Sequence, residues 1–340
     1  MFSKSLLRSA TLALAALVLV GCATAIESLP IVGTEEPIRN SLSGRIGVDG
    51  PILVVKVDDT SAAHPQIGLE DADIVYIEQV EGGLTRIAAV YSSSIPESVG
   101  PVRSARISDI DLMAQFGRVA FAYSGAQSKM LPVIDQANLL NLGAQREGAS
   151  IYRTDPMRNS PTAMILNASV LMEKVKASGE SVAISKSPGW FFGDSSDTGT
   201  VISSVKLTWP AKSYEARWSK VDQRWLLSNS GVENIAASGI HLGPTTLVIQ
   251  NVRVSNSIYG DKFGGVTPLI ETVGSGTGYI LRDGKSIPAY WSRLSLQENT
   301  KWRDNSGELI NFAPGQIWVA LTDREPEFTL PPTPAPSPSK

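Results

Sequence analysis

The chain has 340 residues and nearly balanced charge, with 30 lysines and arginines against 33 aspartates and glutamates. It lacks the excess of basic side chains on which nucleic-acid binding depends, so we expect no nucleic-acid partner. With one cysteine, Cys22, and two histidines, His64 and His241, the chain offers few zinc ligands, and we expect neither a metal nor a cofactor. Both histidines lie in turn-like contexts and are interpreted as surface or turn residues rather than as catalytic bases.

The N-terminus has the organisation of a lipoprotein signal peptide. Lys4 and Arg8 precede the apolar run ATLALAALVLV, which is too short to cross a bilayer comfortably. The run leads into LVGC, whose pattern fits a lipobox. We predict a signal peptide over residues 1–21 and a diacylglyceryl anchor on Cys22, which places the protein on the extracytoplasmic face of the cell membrane. The alternative is an ordinary signal peptide followed by an accidental cysteine.

Composition divides the rest of the chain into four segments. Residues 22–47 are polar and show little periodicity, which is typical of a tether. The Pro- and Ser-rich segment 323–340 predicts a disordered tail. Between them we predict an α/β domain over residues 48–185 and a β-rich domain over residues 200–322. The boundary is placed there because the sequence changes near residue 185 from mixed helix and strand patterns to short strand patterns.

The first domain begins with a predicted hairpin. Runs of β-branched and aromatic residues predict strands over residues 51–58, 73–80 and 84–93. The turn Glu81-Gly82-Gly83 joins the second and third strands. A three-residue loop would place Glu78 opposite Arg86, whereas a two-residue loop would place Gln79 there, and either arrangement is explained by a cross-strand pair alone.

Two helices are predicted further along the first domain. The apolar residues of ISDIDLMAQF recur at helical spacing, with Ser104 as a plausible N-cap. A second helix is predicted over residues 160–178, with Ser160 as its N-cap and Pro161 in its first turn. The strand over residues 118–125 lies between them, and the mixture indicates an α/β domain.

The second domain consists of short strands separated by turns. Asp283-Gly284 in YILRDGKSIPAYW is a type I′ hairpin signal, and WRDNSGELI predicts a second hairpin. Six of the seven tryptophans lie in this domain, where we interpret them as core residues rather than as a glycan-stacking row. The predicted fold class is therefore α+β, with a mixed α/β N-terminal domain followed by a mainly antiparallel β C-terminal domain.

Several stretches resemble a known family. VDDTSAAHPQIGLEDADIVYIEQVEGGLTRIAAVYSS, SVGPVRSARISDIDL, GSGTGYILRDGKSIPAYWSR and APGQIWVAL are similar to the YerB-like lipoprotein family, classed as domain of unknown function 3048. The resemblance spans residues 48–322 and implies a two-domain lipoprotein on the outer side of the cytoplasmic membrane, without an established activity. Family members carry Pro-His-Asn where this chain has Pro161-Thr162-Ala163, and a histidine near Gly231-Val232-Glu233, so histidine chemistry at those positions is absent here.

Arg103 and Arg106 raise the question of what balances their charge. At a helix N-terminus a cation is unfavourable by about 0.3–1 kcal/mol unless an anion offsets it. Arg153 and Arg158 precede the second predicted helix, and two such termini with arginines form a natural cradle for phosphate or carboxylate. We therefore predict an anion-binding site formed by Arg103, Ser104, Arg106, Arg153 and Arg158.

An alternative explanation needs no ligand. Glu78, Glu81 and Asp109 are close to these arginines in sequence, and arginines often form fork-shaped ion pairs that fix a loop. Both explanations remain open at the level of sequence.

Three classes of function follow from these patterns. The leading hypothesis is a lipid-anchored envelope protein that binds an anionic envelope component or a protein partner through the arginine site. The second is an envelope enzyme, a hydrolase or transferase for a phosphorylated or carboxylated substrate, with Asp58, Glu78 or Asp155 as acid or base. It gains support if Asp58 and Glu78 face the arginines across a cleft, and loses support if they pair with them. The third is a structural scaffold, which requires no cleft near the arginines and a large apolar patch elsewhere.

Overall fold

Strands outnumber helices in the structure, a computed structural model that describes residues 37–195, 199–260 and 264–332. The strands of the first region are β1 (Leu53–Asp58), β2 (Ile74–Gln79), β3 (Thr85–Tyr91), β4 (Ser98–Val99), β5 (Val119–Ala122), β6 (Leu139–Asn141), β7 (Tyr152–Thr154) and β8 (Met164–Asn167). The α-helices in the described ranges are α1 (Ser108–Ala114), α2 (Leu131–Gln136) and α3 (Ala168–Ser178).

The second region contributes strands to the described fold and no α-helix. They are β9 (Thr200–Val201), β10 (Ser204–Trp209), β11 (Lys212–Ser219), β12 (Arg224–Asn229), β13 (Val232–Glu233), β14 (Thr246–Asn251), β15 (Arg253–Gly260), β16 (Val266–Glu271), β17 (Gly274–Arg282), β18 (Lys285–Arg293), β19 (Lys301–Arg303), β20 (Ile317–Thr322) and β21 (Glu327–Thr329). The fold is thus largely β, and its described α-helices lie in the first region.

One large sheet runs through both sequence regions. Its strands follow the order β19-β18-β17-β14-β20-β2-β3-β1-β5-β6, with β9 paired to β18. Strand β20 lies between β14 and β2 and runs parallel to both. The domain boundaries at residues 48, 185, 200 and 322 remain predictions from the sequence. The large sheet contains strands from both sides of the boundary between residues 185 and 200.

Both faces of the large sheet are covered by apolar side chains. One core joins a sheet face to α3 and to the five-stranded sheet β13-β12-β11-β10-β21. The other joins the opposite face to α1 and α2. Five of the tryptophans of the second region are buried in these cores, in agreement with their interpretation as core residues, namely Trp209, Trp225, Trp291, Trp302 and Trp318. Burial of this kind supplies most of the stability of the fold.

The segment 103–106, predicted to begin a helix, is not helical. The backbone N–H of Arg103 donates to the carbonyl of Lys56 at 2.8 Å, so the chain continues beside β1. Helix α1 begins only at Ser108, and Ser104 is not its N-cap. The prediction was wrong because this backbone is hydrogen-bonded to a neighbouring strand, so the helix dipole gives no reason for the arginines to need a ligand.

The helix predicted over residues 160–178 is also shorter than expected. Met164–Asn167 form β8, which pairs with β4 and β7, and α3 follows directly from Ala168. The apolar run MILN is compatible with a strand and with the first turn of a helix, and its pairing with two other strands determines that it is a strand. Arg153 in β7 and Arg158 in the next loop therefore do not lie at a helix N-terminus.

The ordered chain extends beyond the predicted domain limits. Asn40 and Leu42, assigned to the tether, are buried, and β21 lies within the predicted disordered tail, where it pairs with β10. The signal peptide 1–21, Cys22 and residues 333–340 lie outside the described residues. In the part of the chain that is described, no helix is both long and apolar enough to cross a membrane.

Candidate functional site

Four charged side chains share one face of the central strands. Asp58 on β1 and Glu78 on β2 both lie opposite Arg86 on β3, which runs between them. Lys56 is on the same face as Asp58, because residues two apart in a strand point the same way. All four are almost completely buried, so each charge needs a partner inside the protein. The register confirms Glu78, rather than Gln79, as the residue opposite Arg86.

Lys56 is shared by two carboxyl groups. Its Nζ lies 2.5 Å from Glu78 Oε1 and 2.7 Å from Asp109 Oδ1. Burial, followed by the negative charge of Asp109, raises the pKa of Glu78 to about 8, although Lys56 opposes the shift. Two carboxyl groups beside one ammonium are best accommodated when they hold one proton between them, which makes the trio neutral. The other oxygen of Asp109 accepts the backbone N–H of Arg106 at 2.6 Å and so positions the arginine segment.

The two arginines singled out in the sequence both have carboxylate partners. Arg103 Nε lies 2.7 Å from Oδ2 of the fully buried Asp58. Arg106 donates from Nε and Nη2 to Glu81 Oε2, at 2.9 and 2.5 Å. Burial would raise the pKa of Glu81, but the charge of Arg106 and a hydrogen bond from Thr267 hold it below its usual value. These ion pairs match the alternative that arginine forks fix a loop.

Arg86 has no such carboxylate partner among the described residues. Both carboxyl groups opposite it are engaged, Asp58 by Arg103 and Glu78 by Lys56. Within the described ranges, its Nη1 donates to the carbonyl of Ser104 at 3.4 Å, and its buried Nε has no hydrogen-bond partner. Burial, followed by repulsion from Arg106, lowers the pKa of Arg86 to about 9. The positive charge of a side chain only 4% exposed is therefore left incompletely balanced.

A cavity of about 610 Å³ lies beside these arginines. Arg86, Arg103 and Arg106 all line it, together with Ser104 and Glu81. Its other walls are apolar or neutral polar, formed by Thr60, Val80, Leu84, Ala105, Ala126, Gln127, Ser128, Met130, Gly260 and Thr267. The described lining contains neither Asp58 nor Glu78, which lie behind the cations. The arrangement can hold a negatively charged group against guanidinium groups.

The remaining predicted site residues lie elsewhere. Arg158 borders a different cavity of about 420 Å³, where it pairs with Asp155 (3.2 Å) and donates to the carbonyls of Ala63 and Pro65. Arg153 is exposed, and its Nε donates to Asn167 Oδ1 at 3.3 Å. The structure thus brings Arg103, Ser104 and Arg106 together and separates them from Arg153, Arg158 and Asp155.

Sequence reasoning missed Arg86 and Lys56 as members of the cluster. Each is a single charge within an otherwise apolar strand, in TRIAAVY and LVVKVD. A lone cation in a strand buried on both faces is costly unless paired, so this pattern was the signal that could have found them. In the described ranges, no group of three or more potential ligand side chains could hold a metal ion.

The fold and the cavity together define a class of protein, a largely β globular body whose central sheet carries a buried charge cluster open to an arginine-lined cavity. Residues 42–181 match the model of the N-terminal domain of a protein of unknown function (DUF3048), and residues 205–319 match that of its C-terminal domain. The chain belongs to this family.

The chain is similar in sequence and in structure to a Bacillus subtilis protein named YerB. The protein named "Putative lipoprotein YerB" (strain 168) is 36% identical over 118 residues, which cover 33% of this chain and only 35% of that protein. The crystal structure of a Bacillus subtilis YerB protein superposes with a TM-score of 0.72 at 19% identity, covering 85% of this chain and 99% of that one. At that identity the match shows the shared fold.

Proposed function

We propose that the protein is a lipid-anchored protein of the cell envelope that binds an anionic envelope component in the arginine-lined cavity. The lipobox at Cys22 and the lipoprotein name of the relative support the anchor and the extracytoplasmic location. The observation that carries the binding function is Arg86, a buried guanidinium at the cavity that has no carboxylate partner in the described part of the chain.

The balance of charge supports an anionic ligand. Arg103 with Asp58 and Arg106 with Glu81 are two neutral pairs. Lys56, with one proton shared between Glu78 and Asp109, forms a neutral trio. The charge of Arg86 remains, and a buried, uncompensated charge is unfavourable by several kcal/mol until an anion neutralises it.

The size of the cavity supports an organic anion rather than a free inorganic ion. Its volume of about 610 Å³ falls within the usual range of small-molecule sites. Apolar walls such as Val80, Leu84 and Met130 suit the body of a ligand, and the hydroxyl groups of Ser128 and Thr267 suit polar substituents. We expect the anionic group, a phosphate or a carboxylate, to lie against Arg86.

The two other functional hypotheses receive less support. Asp58 pairs with Arg103, the outcome that weakens its assignment as a general base, and Glu78 is held by Lys56 behind the cavity wall. Asp155 borders a separate cavity and is paired with Arg158. A scaffold requires no cleft at the arginines, whereas a cavity is present there.

Thermal unfolding with and without inorganic phosphate, at matched ionic strength, tests the proposal. Phosphate should raise the Tm of the wild-type protein, because a ligand that binds only the folded state stabilises it by mass action. Arg86→Gln should not respond to phosphate, and without phosphate it should melt at or above the wild-type temperature, since a poorly balanced charge is removed. Arg153→Gln, an exposed control, should respond like the wild type. Equal responses of the wild type and Arg86→Gln would contradict the proposal.

A further inference from the structure

Asp59, next to Asp58 in the chain, is the centre of a second buried polar cluster. Its Oδ1 accepts hydrogen bonds from the Tyr214 hydroxyl at 2.6 Å and from Asn229 Nδ2 at 2.9 Å. Burial would raise its pKa, but hydrogen bonds and the positive charge of Lys212 keep the pKa of Asp59 below its usual value. The group is therefore a carboxylate that needs donors on every side.

That carboxylate determines how the Asn229 amide is oriented. The NH₂ group must point to Asp59, since the opposite orientation would set the amide oxygen against the carboxylate. The same Nδ2 lies 3.0 Å from His64 Nε2, whereas His64 Nε2 lies 3.4 Å from Asp59 Oδ1. On these distances we assign His64 Nε2 as the acceptor of a hydrogen bond from Asn229, which places the ring proton of the neutral imidazole on Nδ1.

The Nδ1–H of His64 then has no acceptor among the described residues. Among the described residues, the polar contacts of the His64 ring run through Nε2. His64 borders the cavity of about 420 Å³ beside Arg158 and also lines a second cavity of about 570 Å³, which is separate from the arginine-lined cavity. Pro65, Val232, Ile235 and Ala236 give this cavity a mainly apolar lining. A few polar groups in an apolar cavity of this size are typical of a small-molecule site.

We propose that this cavity binds an uncharged ligand with an apolar body and a carbonyl group, such as an ester or an amide, whose oxygen accepts the His64 Nδ1–H. The apolar walls bury the body of the ligand, and the imidazole selects an acceptor. The exposed carboxylate of Glu233 also lines the cavity and repels a second negative charge, which disfavours a free carboxylic acid.

Nitrogen NMR of the histidine rings in the ¹⁵N-labelled full chain tests the proposal. His241 is an internal standard, because its Nε2 lies 2.8 Å from the Leu227 carbonyl and must donate, so its proton is on Nε2. The two histidines should therefore show opposite tautomers, with His241→Gln assigning the signals. Hexyl acetate, a neutral ester probe, should shift the His64 Nδ1 signal and leave His241 unchanged. A His64 proton on Nε2, or no shift with hexyl acetate up to its solubility, would overturn the proposal.

Two further comparisons test the ligand class. Octanoate should bind at least tenfold more weakly than hexyl acetate, and Glu233→Gln should reduce this difference without changing the affinity for the ester. His64→Phe keeps an aromatic wall without the donor and should weaken ester binding about tenfold. Equal binding of octanoate and ester, or an unchanged ester affinity in a folded His64→Phe variant, would refute the assignment.

Discussion

At the scale of single residues, the site is explained by how buried charges share partners. Lys56 has two carboxyl groups within 2.7 Å, whereas Arg86, on an adjacent strand, forms no ion pair with any carboxyl group of the described residues. The difference arises because Arg103 forms an ion pair with Asp58, the carboxylate directly opposite Arg86. Removing Arg103 and removing Arg86 should therefore have opposite consequences for stability.

Arg103→Gln should lower the free energy of unfolding by about 3–5 kcal/mol, because it leaves the buried carboxylate of Asp58 without its cation. Arg86→Gln should leave stability unchanged or raise it. Urea unfolding of both variants against the wild type measures the contrast. A mild effect of Arg103→Gln would mean that Asp58 finds Arg86 as a substitute partner, and phosphate binding should then weaken in that variant.

Glu78 makes stability depend on pH. Its pKa is raised to about 8 in the folded protein, so between its usual value and pH 8 the folded state holds a proton that the unfolded state has lost. The free energy of unfolding should therefore fall as pH rises from about 5 to 8. Glu78→Gln should flatten this dependence, and Glu215→Gln, at an exposed position of β11, should retain it. Identical pH profiles for Glu78→Gln and the wild type would contradict the shared proton.

At the scale of secondary-structure elements, strands were more predictable than helices. Alternating or continuous β-branched runs located β1, β2 and β3 to within a few residues, and Asp283-Gly284 occupies the turn between β17 and β18 with both residues at positive φ. The helix starts at Ser104 and Ser160 were wrong, because capping residues and apolar spacing carry no information about pairing with distant strands. Arg86 was missed as a site residue because a cross-strand pair with Glu78 was expected to account for its charge.

Strand β21, near the C-terminus, also pairs with a strand distant in sequence, and composition alone predicted disorder there. Phe328 packs edge-on against Tyr279, with ring centroids 5.0 Å apart, and β21 covers the edge of β10. Phe328→Ala should lower the free energy of unfolding by about 1–2 kcal/mol, part of the value of a fully buried aromatic side chain. Leu330→Ala, at a mostly exposed position, should change it little. Equally negligible effects of the two substitutions in denaturant unfolding would support the prediction that this segment is disordered.

At the scale of the whole molecule, the continuous sheet makes the two sequence regions depend on one another. Strand β20 supplies the partner of β2, and the polar cluster at Asp59 draws donors from Tyr214 and Asn229 of the second region. Local patterns in the sequence contain no information about strand pairing across such a separation, so the predicted division into two domains did not include it. The arginine-lined cavity and the cavity of about 570 Å³ at His64 are each lined by residues of both regions.

A fragment of residues 37–185 should therefore not fold cooperatively, because β2 would expose the edge that β20 covers and Asp59 would lose its buried donors. Circular dichroism during urea unfolding should show no sigmoidal transition for the fragment, in contrast to the full chain. A cooperative transition in the isolated fragment would show that the shared sheet is dispensable for the first region.

Crystals of the protein soaked in tungstate, a heavy analogue of phosphate, would show whether an anion binds at Arg86. We expect an anomalous peak in the arginine-lined cavity within hydrogen-bond distance of the Arg86 guanidinium, and its loss in crystals of Arg86→Gln. A cavity without a peak in the wild type, or the same peak in both proteins, would contradict anion binding at Arg86.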